Sequence, residues 1–158
     1  MNPPQIRRAR PDEAKLLTAL VLRSKAYWGY SKAFMDACVA ELTIHPDYIE
    51  LEHVFVIENR PGAIAGMYAL ESKPEPNRGA VELDLLYVDT DQMGNGYGRM
   101  LIDHAIEQAK ETGASVIVIQ ADPGAEPFYK KCGAVKTGER ESGSIPGRFL
   151  PVMEISLV

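Results

Sequence analysis

The stretch VELDLLYVDTDQMGNGYGRML, Val81 to Leu101, constrains this chain more than any other. It opens as an apolar-rich strand and passes a short polar turn. It then meets glycine at three alternate positions, Gly94, Gly96 and Gly98, and continues as a helix. Glycines at a helix start leave backbone N–H groups uncovered where the helix dipole is positive. Such a turn is an anion cradle, suited to phosphate. Two familiar phosphate motifs do not fit. A P-loop closes on Gly-Lys-Ser/Thr, whereas Arg99-Met100 follow here. The dinucleotide fingerprint spaces its glycines G-x-G-x-x-G after the first strand, whereas this turn reads G-x-G-x-G and lies past mid-chain. A plain tight turn is the competing reading.

The flanking sequence sets the scaffold. At 158 residues the chain fits one domain with a core of its own, and no repeat, linker or low-complexity segment divides 1–158. Hydrophobic residues at 46% and charged residues at 25% are ordinary for a globular protein. No apolar run is long enough to cross a bilayer, so no membrane partner is expected. Met1-Asn2-Pro3-Pro4 offers no apolar core of a signal peptide. Cys38 and Cys132 do not make a disulfide framework, and a cytoplasmic location is expected. A net charge of −5, with no basic cluster beyond Arg7-Arg8-Arg10, argues against nucleic acid as a partner.

Taken in order, Ile6 to Arg10 reads as an edge strand. Pro11, Asp12 and Glu13 suit the first turn of a helix carrying Leu16, Leu17, Leu20 and Val21 at helical spacing. Gly29 ends it. Ser31 can cap a second helix striped by Phe34, Met35, Cys38, Val39 and Leu42. Between the two, Tyr27, Trp28 and Tyr30 place three aromatic rings within four residues, either lining a pocket or covering the edge of the core. Thr43 to Glu52 reads as a polar connector. Val54 to Ile57 and Ala63 to Leu70 form a hairpin around Asn59-Arg60-Pro61-Gly62. Lys73 to Gly79 is a loop rich in turn formers, and Val81 to Val88 is the third strand. A helix from Gly96 to Thr112 leads to Ser115 to Ile119, almost wholly apolar, as a parallel strand covered on both faces should be. A short helix at Glu126 to Cys132 and strands at Val135 to Glu139 and Val152 to Leu157 complete the chain. A long loop, Arg140 to Pro151, joins the last two strands.

The strand, QMGNGYG turn, amphipathic helix and second strand, followed by DPGAEPFYKKCG from Asp122 to Gly133, resemble the acyl-CoA-binding half of the GNAT family, the Gcn5-related N-acetyltransferases. That family's turn reads Q/R-x-x-G-x-G/A, and Phe-Tyr precedes a glycine in its later signature. The resemblance covers Val81 to Ala134, with only the order of elements in common before it. The usual Gln or Arg of the turn falls on Met93, with Gln92 one place away. The resemblance implies an α+β fold, a mixed sheet of six to seven strands flanked by helices. It also implies an enzyme that moves an acetyl group from acetyl-CoA to a primary amine of a small molecule. Many members dimerise, so a homodimer is among the assemblies it allows.

On the same basis, the backbones of Leu86, Tyr87 and Val88 should face the pantetheine arm, and the turn from Met93 through Gly94, Asn95, Gly96, Tyr97, Gly98 and Arg99 should hold the pyrophosphate. Asp122 falls where the family touches the pantetheine amide, or else caps the short helix. Tyr129 falls on the tyrosine of the Phe-Tyr pair and would protonate the leaving thiolate; a phenol of pKa about 10 suits an alkyl thiol. Packing of the short helix is its alternative role. The N–H of Val88 would stabilise the oxyanion. Strict strand alternation puts Glu82, Asp84, Leu86 and Val88 on one face, making Glu82 and Asp84 the candidate bases, unless an arginine merely pairs with them. Tyr27, Trp28 and Tyr30 are the candidates for the acceptor pocket, and the loop Ser142 to Arg148 is a candidate cover for it. His45, His53 and His104 show no ligand spacing, so no metal is expected. Cys132 has no histidine near it in sequence and reads as a structural thiol. Two other readings stand beside this one: a non-catalytic acyl-CoA-binding or sensing module, and an acetyltransferase of protein N-termini or lysines.

Overall fold

The computed structural model describes residues 3–72 and 79–158, so the loop expected at Lys73 to Gly79 lies outside the described residues except for its last. The strands are β1 (Gln5–Arg8), β2 (His53–Arg60), β3 (Ala63–Ser72), β4 (Ala80–Val88), β5 (Val116–Gln120), β6 (Val135–Glu141) and β7 (Phe149–Ser156). The helices are α1 (Ala14–Ala26), α2 (Lys32–Leu42), α3 (Pro46–Leu51), α4 (Tyr97–Glu111) and α5 (Glu126–Lys131). The strands form one sheet in the order β1-β2-β3-β4-β5-β7-β6. Adjacent strands are antiparallel except β4 and β5, which run parallel. A parallel pair needs a crossover, and α4 supplies it.

Alternation along the strands divides the core into two layers. On β2, Phe55 and Ile57 face Leu101, Ile102 and Ala105 of α4, while Val54 and Val56 face Leu17, Leu20 and Val21 of α1. Local chemistry sets the helix ends. The Ser31 hydroxyl accepts from the Phe34 N–H at 3.1 Å to cap α2. Before α1, Glu13 accepts from the backbone of Arg10 at 2.8 Å and from both Arg7 terminal nitrogens, at 3.0 and 2.8 Å.

Two connections differ from the sequence reading. The connector Thr43 to Glu52 contains α3, which starts on Pro46 and buries Ile49; one and a half turns are too short to show a helical period. The expected loop from Arg140 to Pro151 shrinks to 142–148, because β6 runs on to Glu141 and β7 starts at Phe149. β6 is an edge strand exposed at every position, so it carries no apolar alternation to read.

The third difference shapes the site. Ala69 pairs with Leu85 and Leu70 with Leu83, leaving Asp84 as one extra residue on β4. This bulge switches the strand's parity. Val81 and Leu83 before it, and Leu86 and Val88 after it, face the α4 layer, whereas Leu85 and Tyr87 face the α1 layer. Glu82 and Asp84 therefore do not share a face with Leu86 and Val88, as unbroken alternation would require.

Candidate active site

The ladder between β4 and β5 runs from Ala80–Val116 to Leu83–Ile119 and stops there. Beyond it β4 stays paired with β3 up to Val88, and β5 continues on β7 through Gln120. The two strands part, and a cavity of about 420 Å³ fills the gap. The Asp89 N–H donates to Ala65 O at 2.8 Å. Because antiparallel pairing alternates along a strand, Tyr87 shares that side and the N–H and C=O groups of Leu86 and Val88 point into the gap. Those groups are free to pair with an extended ligand as a further strand would.

At the mouth of the gap lies the glycine turn. Gly94 (φ 86°) and Gly96 (φ 79°) adopt the left-handed conformation that side chains resist. Gly96 is the cap of α4, and the first helical bond runs from the Met100 N–H to Gly96 O. The N–H groups of Tyr97, Gly98 and Arg99 thus precede the helix ladder and face outward at its positive end. Gly98 serves packing instead: a Cβ there would touch the Phe128 ring at 3.4 Å. The Arg99 guanidinium is turned to Asp103 at 3.1 Å and to Lys131 O at 3.3 Å, bracing α4 against the end of α5. Met93 and Gln92 both line the cavity, and the Gln92 side chain accepts from Asn59 at 3.1 Å. Parted strands beside a left-handed glycine turn suit the pantetheine and pyrophosphate of an acyl-CoA.

Tyr129 lies on the wall of the gap at 6% exposure, with the Phe128 ring edge-on at 5.2 Å. Burial holds its phenol well above the ordinary tyrosine pKa. Among the described residues its hydroxyl makes no hydrogen bond, so its proton is available to a ligand in the cavity. Asp84, the bulge residue, accepts from the Tyr48 hydroxyl at 2.7 Å. Glu82 accepts from Arg140 at 2.8 Å. Glu71 stands opposite Glu82 on β3, and carboxylate oxygens of Glu71, Glu82 and Asp84 come within 4.8 Å of one another.

A second, polar cavity of about 170 Å³ adjoins the first, and Leu83, Asp84, Tyr87, Gln120 and Asp122 line both. Glu82 lines only the second. Its far wall is built by Lys25, Glu41, Ser142, Ser144 and Arg148. The loop 142–148 reaches this wall because Ser144 donates to Glu41 and Arg148 donates to the Tyr30 hydroxyl at 2.8 Å. Asp122 is the junction: one oxygen accepts from Gly124 N–H at 3.0 Å, as a turn cap, and the other from the Tyr30 hydroxyl at 2.6 Å.

The three aromatics between α1 and α2 have different fates. Trp28 lines the first cavity against Gly124. Tyr30 lies behind Asp122, stacked on Phe34 at 4.1 Å between ring centroids. Tyr27 is 64% exposed and lines neither cavity. Lys25, Glu41 and Arg148 belong to the second cavity without a sequence signal of their own; only Arg148 lay in a segment singled out there. His104 bonds the Tyr68 hydroxyl at 2.7 Å in the α4 layer, and both cysteines are free thiols.

The sequence model of the acetyltransferase (GNAT) family matches residues 20–134. The Oryza sativa subsp. japonica protein named Probable glucosamine 6-phosphate N-acetyltransferase 2 is 28% identical over 142 residues, covering 85% of this chain and 83% of its own length. Peptidyl-lysine N-acetyltransferase YjaB of Escherichia coli is 34% identical over 76 residues, 48% of this chain and 50% of its own. Among solved structures, PaiA N-acetyltransferase from Thermoplasma acidophilum, in complex with coenzyme A, superposes with a TM-score of 0.79 at 18% identity, covering 99% of each chain.

Proposed function

This chain belongs to the acetyltransferase (GNAT) family, and from that premise we propose that it acetylates the primary amine of a small molecule, with acetyl-CoA as the donor. The observation that carries the small-molecule reading is the second cavity. Its volume, about 170 Å³, is below the ~300–1,000 Å³ of sites for drug-sized ligands, and the loop 142–148 walls it. An acceptor seated there meets the gap at Asp84.

Acetyl-CoA supplies an acetyl group already activated as a thioester. The chain's part is to hold the donor, to remove a proton and to return one. Backbone N–H groups of Tyr97, Gly98 and Arg99 take the pyrophosphate, and the exposed edge of Leu86 and Val88 takes the pantetheine. The Val88 N–H faces the place where negative charge develops on the acyl oxygen. An amine enters as an ammonium of pKa about 10 and must lose a proton before it attacks. We assign that step to Asp84, because it lines both cavities, whereas Glu82 lines only the second. Tyr129, kept neutral by burial, gives its proton to the departing sulfur. A sensing module would have no use for a base and an acid lining one gap.

The test is release of coenzyme A from acetyl-CoA with a panel of amines, comparing wild type with Tyr129→Phe. Turnover on any amine that falls in the variant while acetyl-CoA still binds supports transfer. Binding without turnover across the panel would leave a sensor.

A further inference from the structure

The far wall of the second cavity carries two cations that the chemistry above does not use. Lys25 comes from α1, and its side chain is 12% exposed. Its ammonium lies 3.5 Å from Asp122 and makes no hydrogen bond among the described residues. Arg148 comes from the 142–148 loop, and its side chain is 21% exposed. One terminal nitrogen, Nη2, donates to Tyr30 and stands 3.7 Å from the same Asp122 oxygen. Its Nε and Nη1 groups donate to nothing among the described residues. Both cations rest on the stacked rings of Tyr30 and Phe34: the Arg148 guanidinium is 4.9 Å from the Phe34 centroid and the Lys25 ammonium 5.5 Å from that of Tyr30.

One carboxylate oxygen therefore serves two cations and a phenol, while an ammonium offers three donors and a guanidinium five. A cation withdrawn from water needs its hydrogen bonds made, or it costs stability. Here the rings position the cations at the cavity that both line. Across that cavity, on β4, stand Glu82 with its partner Arg140, and Asp84 with Tyr48. Glu41 stands beside the loop, bound by Ser144. Lys25 and Arg148 thus stand together on one wall of the cavity, with Asp122 and Glu41 beside them, and Glu82 and Asp84 stand on β4. Neither cation lines the first cavity, so the phosphates of a coenzyme seated at the glycine turn are not their ligand.

We infer that the acceptor amine also carries an anionic group, a carboxylate or a phosphate, which Lys25 and Arg148 hold while the amine reaches Asp84. The inference rests on the acetyl transfer proposed above and narrows its substrate to small zwitterionic amines. An arginine fork and a lysine point charge suit either anion.

Matched acceptor pairs test it: an amino acid against its amide, and an aminoalkyl phosphate against its parent amino alcohol. In at least one pair the anionic member should show kcat/KM at least about tenfold above its neutral partner, mostly through KM, since a charge-assisted hydrogen bond is worth about that factor. The pair that responds identifies the anion. Arg148→Gln and Lys25→Met should each bring that ratio toward one, and Lys25→Arg should keep most of it. Equal turnover of both members in both pairs, or a ratio unchanged by the two variants, overturns the inference. A second readout needs no turnover. With coenzyme A saturating the glycine turn, inorganic phosphate should raise the melting temperature of wild type and not of either variant. Unchanged melting in wild type overturns the anion site while leaving acetyl transfer intact. Phosphate stabilisation without turnover of any amine overturns acetyl transfer and leaves the anion site standing.

Discussion

At the scale of single residues, the site divides proton removal from proton return. Tyr129 is buried and its pKa is raised, so it stays protonated across the neutral range and can act only as a donor there. Tyr129→Phe should lower kcat by roughly 10²–10⁴-fold, the usual range for a general acid, with the Kd of acetyl-CoA little changed by calorimetry. Asp84 and Glu82 were equivalent candidates in the sequence, both carboxylates on one strand. The bulge separates them: Asp84 reaches both cavities, and Glu82 meets Arg140. Asp84→Asn should cost on the order of 10²-fold in kcat/KM and remove the acid limb of its pH profile. Glu82→Gln should keep that limb. The same limb in Asp84→Asn would return the base role to Glu82 or to solvent.

At the scale of elements, two close approaches build the gap. Gly66 on β3 has no room for a side chain: a Cβ would lie 2.8 Å from Tyr87 O and 3.2 Å from Leu101. This lets β3, β4 and α4 close together opposite Val88, where β4 has already parted from β5. Gly66→Ala should destabilise by about 1–3 kcal/mol in urea unfolding, as overpacking does, and should weaken acetyl-CoA binding by displacing Tyr87 and Val88. Gly96 acts through conformation, with open space where its Cβ would be and φ at 79°. Because the left-handed backbone costs an alanine roughly 1–2 kcal/mol, Gly96→Ala should move the turn out of its cradle geometry. That shift appears as a rise of about tenfold or more in the Kd of coenzyme A. An unchanged Kd would remove the turn from the binding site.

At the scale of the whole molecule, the layers respond to pH together. His104 sits between Phe55 and Tyr68 in the α4 layer, and desolvation lowers its pKa below 6.5. The unfolded chain takes a proton there first, so stability falls as pH drops below about 6.5. Glu13 and Asp89, lowered mainly by their bonds to Arg7 and Arg23, add a second loss as pH falls below about 4.5. Urea unfolding should therefore show lower stability at pH 5 than at pH 7. His104→Gln should remove most of that difference while leaving the loss at lower pH. Apart from α3, the order of strands and helices was legible in the sequence because alternation and helical spacing report which faces are buried, and that much is local. The glycine turn was legible for the same reason, since positive φ at Gly94 and Gly96 is a property of the backbone itself. The parity of β4 was not, because a bulge arises from register against β3 and leaves no mark on the strand's own composition. Nor was the second cavity, whose walls come from α1, α2, β4 and the 142–148 loop. Lys25 and Arg148 stand 123 positions apart in the chain. Only folding brings them over one pair of rings, and only there do their charges become a site.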